Sequence, residues 1–531
     1  MIATASRSAR TARRSISMPA EIGVCVLGLG LITLLMCSVH IRAGGFYYDD
    51  WDVLALGRFP SPGGLLHALW LDYGQRPGQV LYYAALNAAF GVNAAPRLAF
   101  AAAMLLLEAT CLYVLLRALG LGVRHALAIA ALSLTLPFSD SVWLWGILSL
   151  TSLAIAAALL GVLLALRALQ HSGARAPALH VASLSLYAAS ILSYEVFAVA
   201  GCLAGLLYTR VVGFRRARAR WALDVMTIAG VLLVARGLLP IDVATPSRMQ
   251  SPAGMVGHAG LIVRNGAELA GAAMLPLVGL DPWVGVGLLA SVLAAAAWRY
   301  RRLVPGSDER AELGRWLAIA GAGALVALAA WSVYVPAPDH YLPTEVGTVN
   351  RTNAGAAIGI ALLVYACLVL LVGMLAARLR VRAGLAALAL CAAVLALGGA
   401  YVAQTSRDAR AWDAAAADQR RLLADVHALL PSLPPAAAVY AFDAPQAVGP
   451  GIPVLNTALD LTSALRISYA SPALLGAPVA GAGAVSCAAR GPSADGVAGV
   501  WGDSYLIDAD RHRAVRLTGR AQCELVAGSQ L

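Results

Sequence analysis

The chain has 531 residues, of which 60% are hydrophobic and 13% are charged, and its mean hydropathy is +0.74. Soluble globular domains carry about 25% charged residues, so this composition excludes a soluble globular protein and indicates a membrane protein with many spans. The formal net charge is +11, and the sequence contains no lysine, so its 39 basic residues are all arginine. Because the arginines cluster between apolar segments, they indicate membrane loops and not a nucleic-acid-binding surface.

The N-terminus, residues 1–20, contains several arginines and no acid and is expected to be cytoplasmic. The apolar run from about Glu21 to His40 is long enough to span a membrane. A signal peptide is the competing interpretation, but no clear cleavage site ends this run, so a retained first helix is expected. About eleven segments reach or approach the length of a span. They are 21–40, 97–117, 124–139, 147–167, 179–193, 196–212, 221–239, 281–298, 314–334, 355–377 and 383–403.

The arginines alternate between the connections of these spans. With a cytoplasmic N-terminus, the even-numbered connections hold the arginine clusters, which is the positive-inside pattern. This pattern predicts a plasma (inner) membrane protein with a transmembrane domain at 21–403, a long first outer loop at 41–96 and an extracytoplasmic α/β domain at 404–531. The arginines are Arg117, Arg124, Arg167, Arg175, Arg210, Arg215, Arg216, Arg218, Arg220, Arg299, Arg301, Arg302, Arg310, Arg378, Arg380 and Arg382.

Two outer connections contain apolar pieces that are short or interrupted by charge. Pro62–Tyr73 and Gly78–Gly91 predict amphipathic helices at the interface. Ala259–Val278 predicts another interfacial helix, and a twelfth span is the alternative, although that span would break the arginine alternation.

The composition of the C-terminal region is that of a small soluble domain. Arg407–Leu430 predicts a helix, Ala436–Phe442 a strand, and Val500–Leu506 with Ala514–Leu517 a hairpin. Cys487 and Cys523 lie in this region and are expected to form a disulfide, since an extracytoplasmic compartment permits one; two unpaired thiols are the alternative. The other six cysteines lie in apolar runs, and no spacing indicates a zinc site.

The most informative polar stretch is Gly45–Asp52, directly after the first span. It holds three carboxylates, Asp49, Asp50 and Asp52, beside aromatic residues. Adjacent carboxylates raise each other's proton affinity, and a shielded carboxylate can act as a general base. One member of the Asp49–Asp50 pair could take a proton from an acceptor hydroxyl while the other orients it or holds a divalent cation. A solvated acidic loop or a helix N-cap is the alternative interpretation.

Other ionisable residues are candidates for substrate contacts. Arg76 opens the second interfacial piece, where a guanidinium and a helix N-terminus would both face a phosphate. Arg248, His340 and Arg351 are further cationic candidates on the same side. Glu195 lies between two closely spaced spans, where a carboxylate is costly and is by default a functional candidate. For each residue a structural role, such as a cap or a partner for a neighbouring charge, is the alternative.

Nucleotide-binding motifs are absent from the sequence. Neither a P-loop nor a dinucleotide-binding fingerprint in strand–helix context is present. ATP-driven transport and a soluble nucleotide-sugar transferase domain therefore lose support.

Four motifs of the membrane part, up to about Tyr401, form a familiar pattern. They are, in chain order, Tyr48-Asp49-Asp50-Trp51, Gln75-Arg76-Pro77 leading to Phe90-Gly91-Val92-Asn93, Leu192-Ser193-Tyr194-Glu195, and Asp339-His340-Tyr341-Leu342-Pro343. With these motifs the chain resembles the GT-C superfamily of polytopic glycosyltransferases, in the broad group with aminoarabinose transferases and protein O-mannosyltransferases. It departs from that pattern at two positions: Tyr194 replaces a lysine common in the third motif, and His340 replaces an arginine common in the fourth.

The resemblance implies a transferase that takes a sugar from a polyprenyl-phosphate donor to an acceptor bound outside, with Asp49 or Asp50 as the base and Arg76, His340 and Arg351 as contacts to the donor phosphate. The favoured mechanism is direct displacement at the anomeric carbon, which inverts it. Glu195, Arg248 and Tyr341 are further predicted substrate contacts. The implied partners are the donor, membrane lipid and a glycan, lipid or protein acceptor, with no nucleic acid. No cofactor or metal residue is assigned, beyond the divalent cation that the acid pair could hold. A flippase of lipid-linked sugars, or a surface-polysaccharide ligase or polymerase, is the alternative.

Overall fold

The computed structural model describes residues 18–239, 251–338, 340–442, 444–449, 451–480 and 482–528. Arg248 and most of the predicted cytoplasmic N-terminus lie outside these residues. The helices are α1 (Met18–Ala43), α2 (Asp49–Arg58), α3 (Leu65–Tyr73), α4 (Pro77–Phe90), α5 (Ala94–Ala118), α6 (Val123–Thr135), α7 (Ser141–Leu144), α8 (Ser149–Gln170), α9 (Arg175–Ser193), α10 (Ala198–Cys202), α11 (Ala204–Val212), α12 (Phe214–Gly237), α13 (Pro252–Met274), α14 (Pro282–Arg302), α15 (Asp308–Ser332), α16 (Ala354–Arg378), α17 (Ala383–Leu429), α18 (Ala458–Tyr469) and α19 (Arg520–Gly528). Short 3-10 helices cover Pro137–Ser139, Gly146–Leu148, Glu195–Phe197, Thr348–Asn353 and Ala482–Ala484.

Within the described chain, nine helical segments are long and apolar enough to cross a membrane. This confirms the predicted polytopic helical fold. Each of the eleven predicted spans coincides with a helical segment, but α6 and α12 are not among the nine. Helix α6 has 13 residues, and α12 carries four arginines in its first seven residues.

Several boundaries differ from the sequence predictions for local reasons. Helix α6 ends at Thr135 because Pro137 follows, and the residue before a proline avoids helical dihedrals. The predicted span 196–212 is broken near Leu203 into α10 and α11. The predicted last span and the predicted soluble helix are one continuous helix, α17, of 47 residues, which is about 70 Å long at 1.5 Å per residue.

Glycines permit the closest approach between neighbouring helices of the bundle. A Cβ atom added to Gly323 of α15 would lie 2.6 Å from the carbonyl oxygen of Gly359 in α16. A Cβ added to Gly285 of α14 would lie 2.0 Å from the Gly271 carbonyl oxygen of α13. Small residues at such crossings bring helix backbones into van der Waals contact, which is a main source of attraction between helices in lipid.

The chain divides into two compact units. The helical unit comprises residues up to Cys37, Ala102–Val142 and Ser149–Arg407; the mixed unit comprises Ser38–Ala101, Trp143–Leu148 and Asp408 onward. The predicted boundaries assigned the first outer loop to a transmembrane domain and separated it from the tail. In the structure the loop and the tail belong to the same unit, because α2 packs against α18.

The mixed unit contains the α/β part of the fold. The strands are β1 (Ala438–Phe442), β2 (Ala447–Val448), β3 (Ile452–Pro453), β4 (Leu475–Val479), β5 (Ser486–Ala488), β6 (Gly491–Ala494), β7 (Val497–Ala498), β8 (Ser504–Asp508) and β9 (Arg513–Leu517). The main sheet has the order β4-β1-β8-β9, in which β1 is parallel to β4 and β8, and β9 is antiparallel to β8. The predicted helix, strand and hairpin of the tail are thus confirmed.

The crossover from β1 to β4 runs through α18. Thr457 and Asp460 cap this helix reciprocally, each side chain bonding the other's backbone amide. Strands β1 and β8 are buried on both faces, as expected for central strands of a sheet covered by helices. This core fixes the face of the mixed unit on which α2 rests.

Candidate active site

The acid pair opens helix α2. Asp49, Asp50 and Asp52 all lie in its first turn, where the positive end of the helix dipole stabilises carboxylates. The preceding residue, Tyr48, has φ 47° and ψ −117°, a backbone conformation that is strained for a residue with a side chain. The surrounding contacts therefore hold the chain at this point in a conformation that it would otherwise avoid.

Asp50 is anchored by the backbone. Its Oδ2 accepts a hydrogen bond from the Tyr47 amide at 3.1 Å, and its Oδ1 accepts one from the Ile147 amide at 3.1 Å. The side chain is 1% exposed, and burial raises its pKa to about 7 despite these amides and the positive charge of Arg97. With both oxygens occupied and little access to solvent, Asp50 is suited to fixing the start of α2.

Asp49 is the more accessible member of the pair, since its side chain is only half-buried. Its charge contributes to the raised pKa of Asp50 and of Asp52, so it lies close to both. Burial, with the charges of Asp72 and Asp49, raises the pKa of Asp52 to about 7. The Tyr73 hydroxyl donates to Asp52 at 3.5 Å. Asp49 thus belongs to a group of carboxylates around Tyr73, while Asp50 faces backbone amides.

Aromatic rings flank the acid pair next to Tyr48, the residue with the strained backbone. The Tyr48 ring meets the Trp145 ring edge-on, with centroids 5.9 Å apart. The Phe46 ring meets Trp51 in the same way at 5.4 Å. These aromatic neighbours, of which Tyr48 and Trp51 were noted in the sequence, shield the start of α2.

Arg97 is a site residue that the sequence analysis did not single out. It is 2% exposed, and its guanidinium donates to the Gly91 carbonyl from Nε at 3.1 Å and from Nη2 at 2.8 Å. It also lies over the Phe46 ring, 5.9 Å from the centroid. Its Nη1 is buried and has no hydrogen-bond partner in the described chain. The available signal was an arginine at the outer end of a predicted span, against the positive-inside pattern.

The C-terminal residues hold α2 in place. The Trp51 indole donates to Gln419 of α17 at 3.0 Å, and the Gln419 amide donates to the Pro453 carbonyl at 3.0 Å. The charge of Arg466, on α18, acts on Asp52. In the mixed unit, the tail is therefore part of the scaffold of the acid pair.

A buried histidine ties the end of α1 to α17. His40 Nδ1 lies 2.6 Å from Asp413 Oδ1, and Nε2 lies 2.8 Å from the Leu144 carbonyl oxygen. The Tyr47 hydroxyl donates to the Trp412 carbonyl at 2.9 Å. These bonds set the direction in which the chain leaves α1 and enters α2.

Arg76 lies at the start of α4, as the sequence predicts. It is the N-cap residue, Pro77 is the first helical residue, and the Arg76 carbonyl accepts from the Gln79 amide at 2.8 Å. Its side chain is half-buried. Arg76 therefore shares the mixed unit with Asp49 and Asp50.

Three predicted substrate contacts come together in the helical unit. The Tyr341 ring lies 4.4 Å from the His340 ring and stacks on Tyr334 at 6.0 Å. The Arg351 guanidinium lies over the same Tyr341 ring, 5.5 Å from its centroid. His340 is exposed, and Arg351 is half-buried, so this Tyr341 cluster places an imidazole and a guanidinium around one aromatic ring.

The remaining predicted contacts are placed differently. Glu195 begins a 3-10 helix and forms an ion pair with Arg236, which supports the structural alternative for this residue. Arg248 lies outside the described residues. Cys487 and Cys523 are joined by a disulfide with a Cα–Cα distance of 5.8 Å, as predicted.

In the described ranges, no group of three or more histidine, cysteine, aspartate or glutamate side chains is arranged to hold a metal ion. The carboxylates around Tyr73 therefore do not form such a group. The arrangement at α2 offers proton transfer and charge stabilisation by side chains.

These features define a multi-pass helical membrane protein with an α/β part that supports an acid pair of one buried and one half-buried carboxylate. No protein-family model matches the chain, and the comparison with curated proteins returns no match. Among solved structures, the crystal structure of ArnT from Cupriavidus metallidurans bound to undecaprenyl phosphate matches with 13% identity and a TM-score of 0.38, over 85% of each chain.

Proposed function

We propose that the protein is a membrane glycosyltransferase of GT-C type that moves a sugar from a polyprenyl-phosphate donor to an extracytoplasmic acceptor. The observation that carries the proposal is the difference between the environments of Asp49 and Asp50. Asp50 is locked by two backbone amides, whereas Asp49 is more accessible beside a strained Tyr48. Strained backbone held by its surroundings is concentrated at functional sites.

Asp49 is the proposed base. It removes the proton from the acceptor hydroxyl as that oxygen attacks the anomeric carbon. The bond between the anomeric carbon and the phosphate oxygen breaks, polyprenyl phosphate leaves with the bonding electrons, and the configuration inverts. A positioned base contributes about 10²–10⁴ in rate.

Cationic side chains are proposed to receive the phosphate. Arg76 at the N-terminus of α4 combines a guanidinium with a helix N-terminus, which suits an anion. In the helical unit, the exposed His340 and the Arg351 guanidinium of the Tyr341 cluster are proposed donor contacts. Stabilisation of the leaving phosphate by such donors is commonly a large part of catalysis.

The proposed orientation places the mixed unit outside the inner membrane. The arginine alternation supports it. The disulfide between Cys487 and Cys523 fits an oxidising compartment. Both observations support the proposal that the acid pair and the acceptor lie on the same, outer side of the membrane.

The test is transfer by the purified full-length chain in lipid nanodiscs, supplied with a panel of polyprenyl-phosphate donors carrying radiolabelled sugars. We expect labelled product with the wild type and a loss of about 10²–10⁴ in kcat for Asp49→Asn, with an unchanged Tm. Asp503→Asn, a surface acid 48% exposed, is the matched control. Full activity of Asp49→Asn would remove Asp49 as the base.

A transporter of lipid-linked sugars is the second candidate. The observation that favours it is a buried ion pair in the helical unit, Arg220 with Asp224, at 2.6 Å. Buried ionisable residues among membrane helices often mark transport pathways. A vesicle assay separates the two functions: movement of a fluorescent lipid-linked sugar between leaflets, lost in Asp224→Asn and kept in Asp49→Asn, would favour the transporter.

A further inference from the structure

A basic cavity lies where three candidate spans end in the helical unit. Its volume is about 420 Å³, and its lining includes Arg210 near the end of α11, Tyr300 near the end of α14, and Ser307, Arg310 and Arg315 at the start of α15. Because these spans end here, the cavity lies at the depth of lipid headgroups.

The lining carries three guanidinium groups and no carboxylate. Arg210 and Arg315 form no ion pair within 4.0 Å in the part of the chain that the structure describes. The acidic residue next to Arg310 in sequence, Glu309, is already engaged by Arg299. Arg210 and Arg315 are also exposed, so their charges are available to a ligand.

Arg310 is held in position by neutral groups. Its Nη1 donates to the Leu303 carbonyl at 3.0 Å, and its guanidinium lies over the Tyr300 ring, 4.7 Å from the centroid. Among the described residues, no carboxylate lies within 4.0 Å of this guanidinium, so its other N–H donors remain for a ligand. A guanidinium fixed in this way loses little side-chain entropy when it binds an anion.

The backbone at this point adds little to the charge of the arginines. Helix α15 starts at the cavity, but its N-cap Ser307 already accepts from the Arg310 amide at 3.3 Å, and Asp308 and Glu309 lie in its first turn. The arginine side chains are therefore the donors available to an anion with several acceptor oxygens, and phosphate has this chemistry.

A second, smaller cavity is also lined by arginines from helix ends but is a weaker candidate for an anion site. It has a volume of about 190 Å³ and is lined by Val211, the residue after Arg210, with Arg117 and Arg167 from the ends of α5 and α8. Arg117 is paired with Glu21, so less positive charge is free there.

We propose that the larger cavity binds the phosphate group of an anionic lipid headgroup. The arginine-rich ends of the spans are the ends expected in the cytoplasmic leaflet, where basic pockets between helices bind anionic lipids. A soluble phosphate has the same chemistry and would use the same donors. This site is independent of the acid pair and of the proposed transferase activity.

The test uses the full-length protein in nanodiscs of phosphatidylcholine with increasing phosphatidylglycerol, with retained lipid measured by native mass spectrometry. Arg210→Gln and Arg315→Gln are each expected to weaken lipid retention by about tenfold, the loss of one charge-assisted hydrogen bond. Arg301→Gln, an exposed arginine outside the lining, is the matched control and should retain wild-type lipid.

A variant that leaves the charges intact provides an independent check. Ala311 is exposed and lines the cavity, so Ala311→Phe should fill it and reduce retention with the fold unchanged. Competition by inorganic phosphate, with the same dependence on Arg210 and Arg315 and no preference for phosphatidylglycerol, would identify a soluble phosphate as the ligand. The proposal would be overturned if Arg210→Gln, Arg315→Gln and Ala311→Phe all retained as much lipid as the control Arg301→Gln and no phosphate bound.

Discussion

The environment of Asp50 predicts a pH-dependent stability. Burial raises its pKa from an ordinary 3.8 to about 7, so the folded chain binds a proton that the unfolded chain releases between these values. Stability from this group is fully present below about pH 4 and is lost as pH rises through about 7. At 1.36 kcal/mol for each pKa unit, the loss is about 4 kcal/mol.

The perturbation is Asp50→Asn, which removes the titrating group and keeps one amide acceptor. Between pH 4.5 and 7.5, a window that covers most of this titration, the wild type should lose about 3 kcal/mol relative to the variant. For a cooperative unit of roughly 200 residues this corresponds to a relative fall in Tm of about 10 °C. Tryptophan fluorescence during thermal unfolding in nanodiscs measures Tm at each pH.

Other carboxylates also contribute to the pH dependence of the wild type. Asp52 and Asp460 also have raised pKa values, so the wild-type profile contains their contributions, and only the difference between the two proteins isolates Asp50. Asp503→Asn should follow the wild type at every pH. If Asp50→Asn and the wild type give parallel profiles, the buried carboxylate is not the source of the pH dependence.

Three further predictions concern stability. Arg97→Met should lower Tm at pH 7.5 by the equivalent of about 3 kcal/mol, because the Gly91 carbonyl loses its donor and Asp50 loses a positively charged neighbour. Arg42→Met, at an exposed position, is the control, and equal Tm values for the two variants would count against the role of Arg97. Cys523→Ser should lower the free energy of unfolding by about 3–4 kcal/mol for a loop of this length, as measured by Tm. The wild type in denaturant should show two more maleimide-reactive thiols after reduction than before, and no change on reduction would rule out the disulfide. Gly359→Leu should lower Tm by the equivalent of at least 1–3 kcal/mol, since Gly323 of α15 leaves no space for a side chain. Gly373→Leu, on the same helix with nothing within 4 Å of an added Cβ, is the control and should leave Tm unchanged. Similar effects of both substitutions would refute the close crossing.

Much of the membrane fold could be predicted from hydropathy alone. The lengths of the apolar runs located helices at all eleven predicted spans, because a helix is the way in which an isolated segment satisfies its backbone in lipid. The break near Leu203 and the continuity of α17 through residues 404–406 were not predicted. Composition changes near residue 404, where the helix continues, and does not change near Leu203, where the helix breaks. Hydrogen bonding along a helix therefore does not follow composition at either place.

The candidate site was only partly visible in the sequence. The carboxylates at Asp49 and Asp50 were found because charge is rare in this chain, and Arg76 because it precedes a helix. The different roles of the two acids were not visible, since they depend on Ile147, which lies 97 residues from Asp50. Arg97 was missed because no local pattern shows its hydrogen bonds to the Gly91 carbonyl or the effect of its charge on Asp50. Its position at the end of a predicted span was nevertheless a usable signal.

The sequence by itself determined the class of protein, the positions of its apolar helices and the location of its acidic cluster, because these follow from local hydropathy and charge. Only the tertiary structure decided which carboxylate is buried, which arginine lies beside it, and that the first loop and the tail form one unit. Burial and pKa depend on neighbours from distant parts of the chain, and no local pattern specifies which neighbours those are.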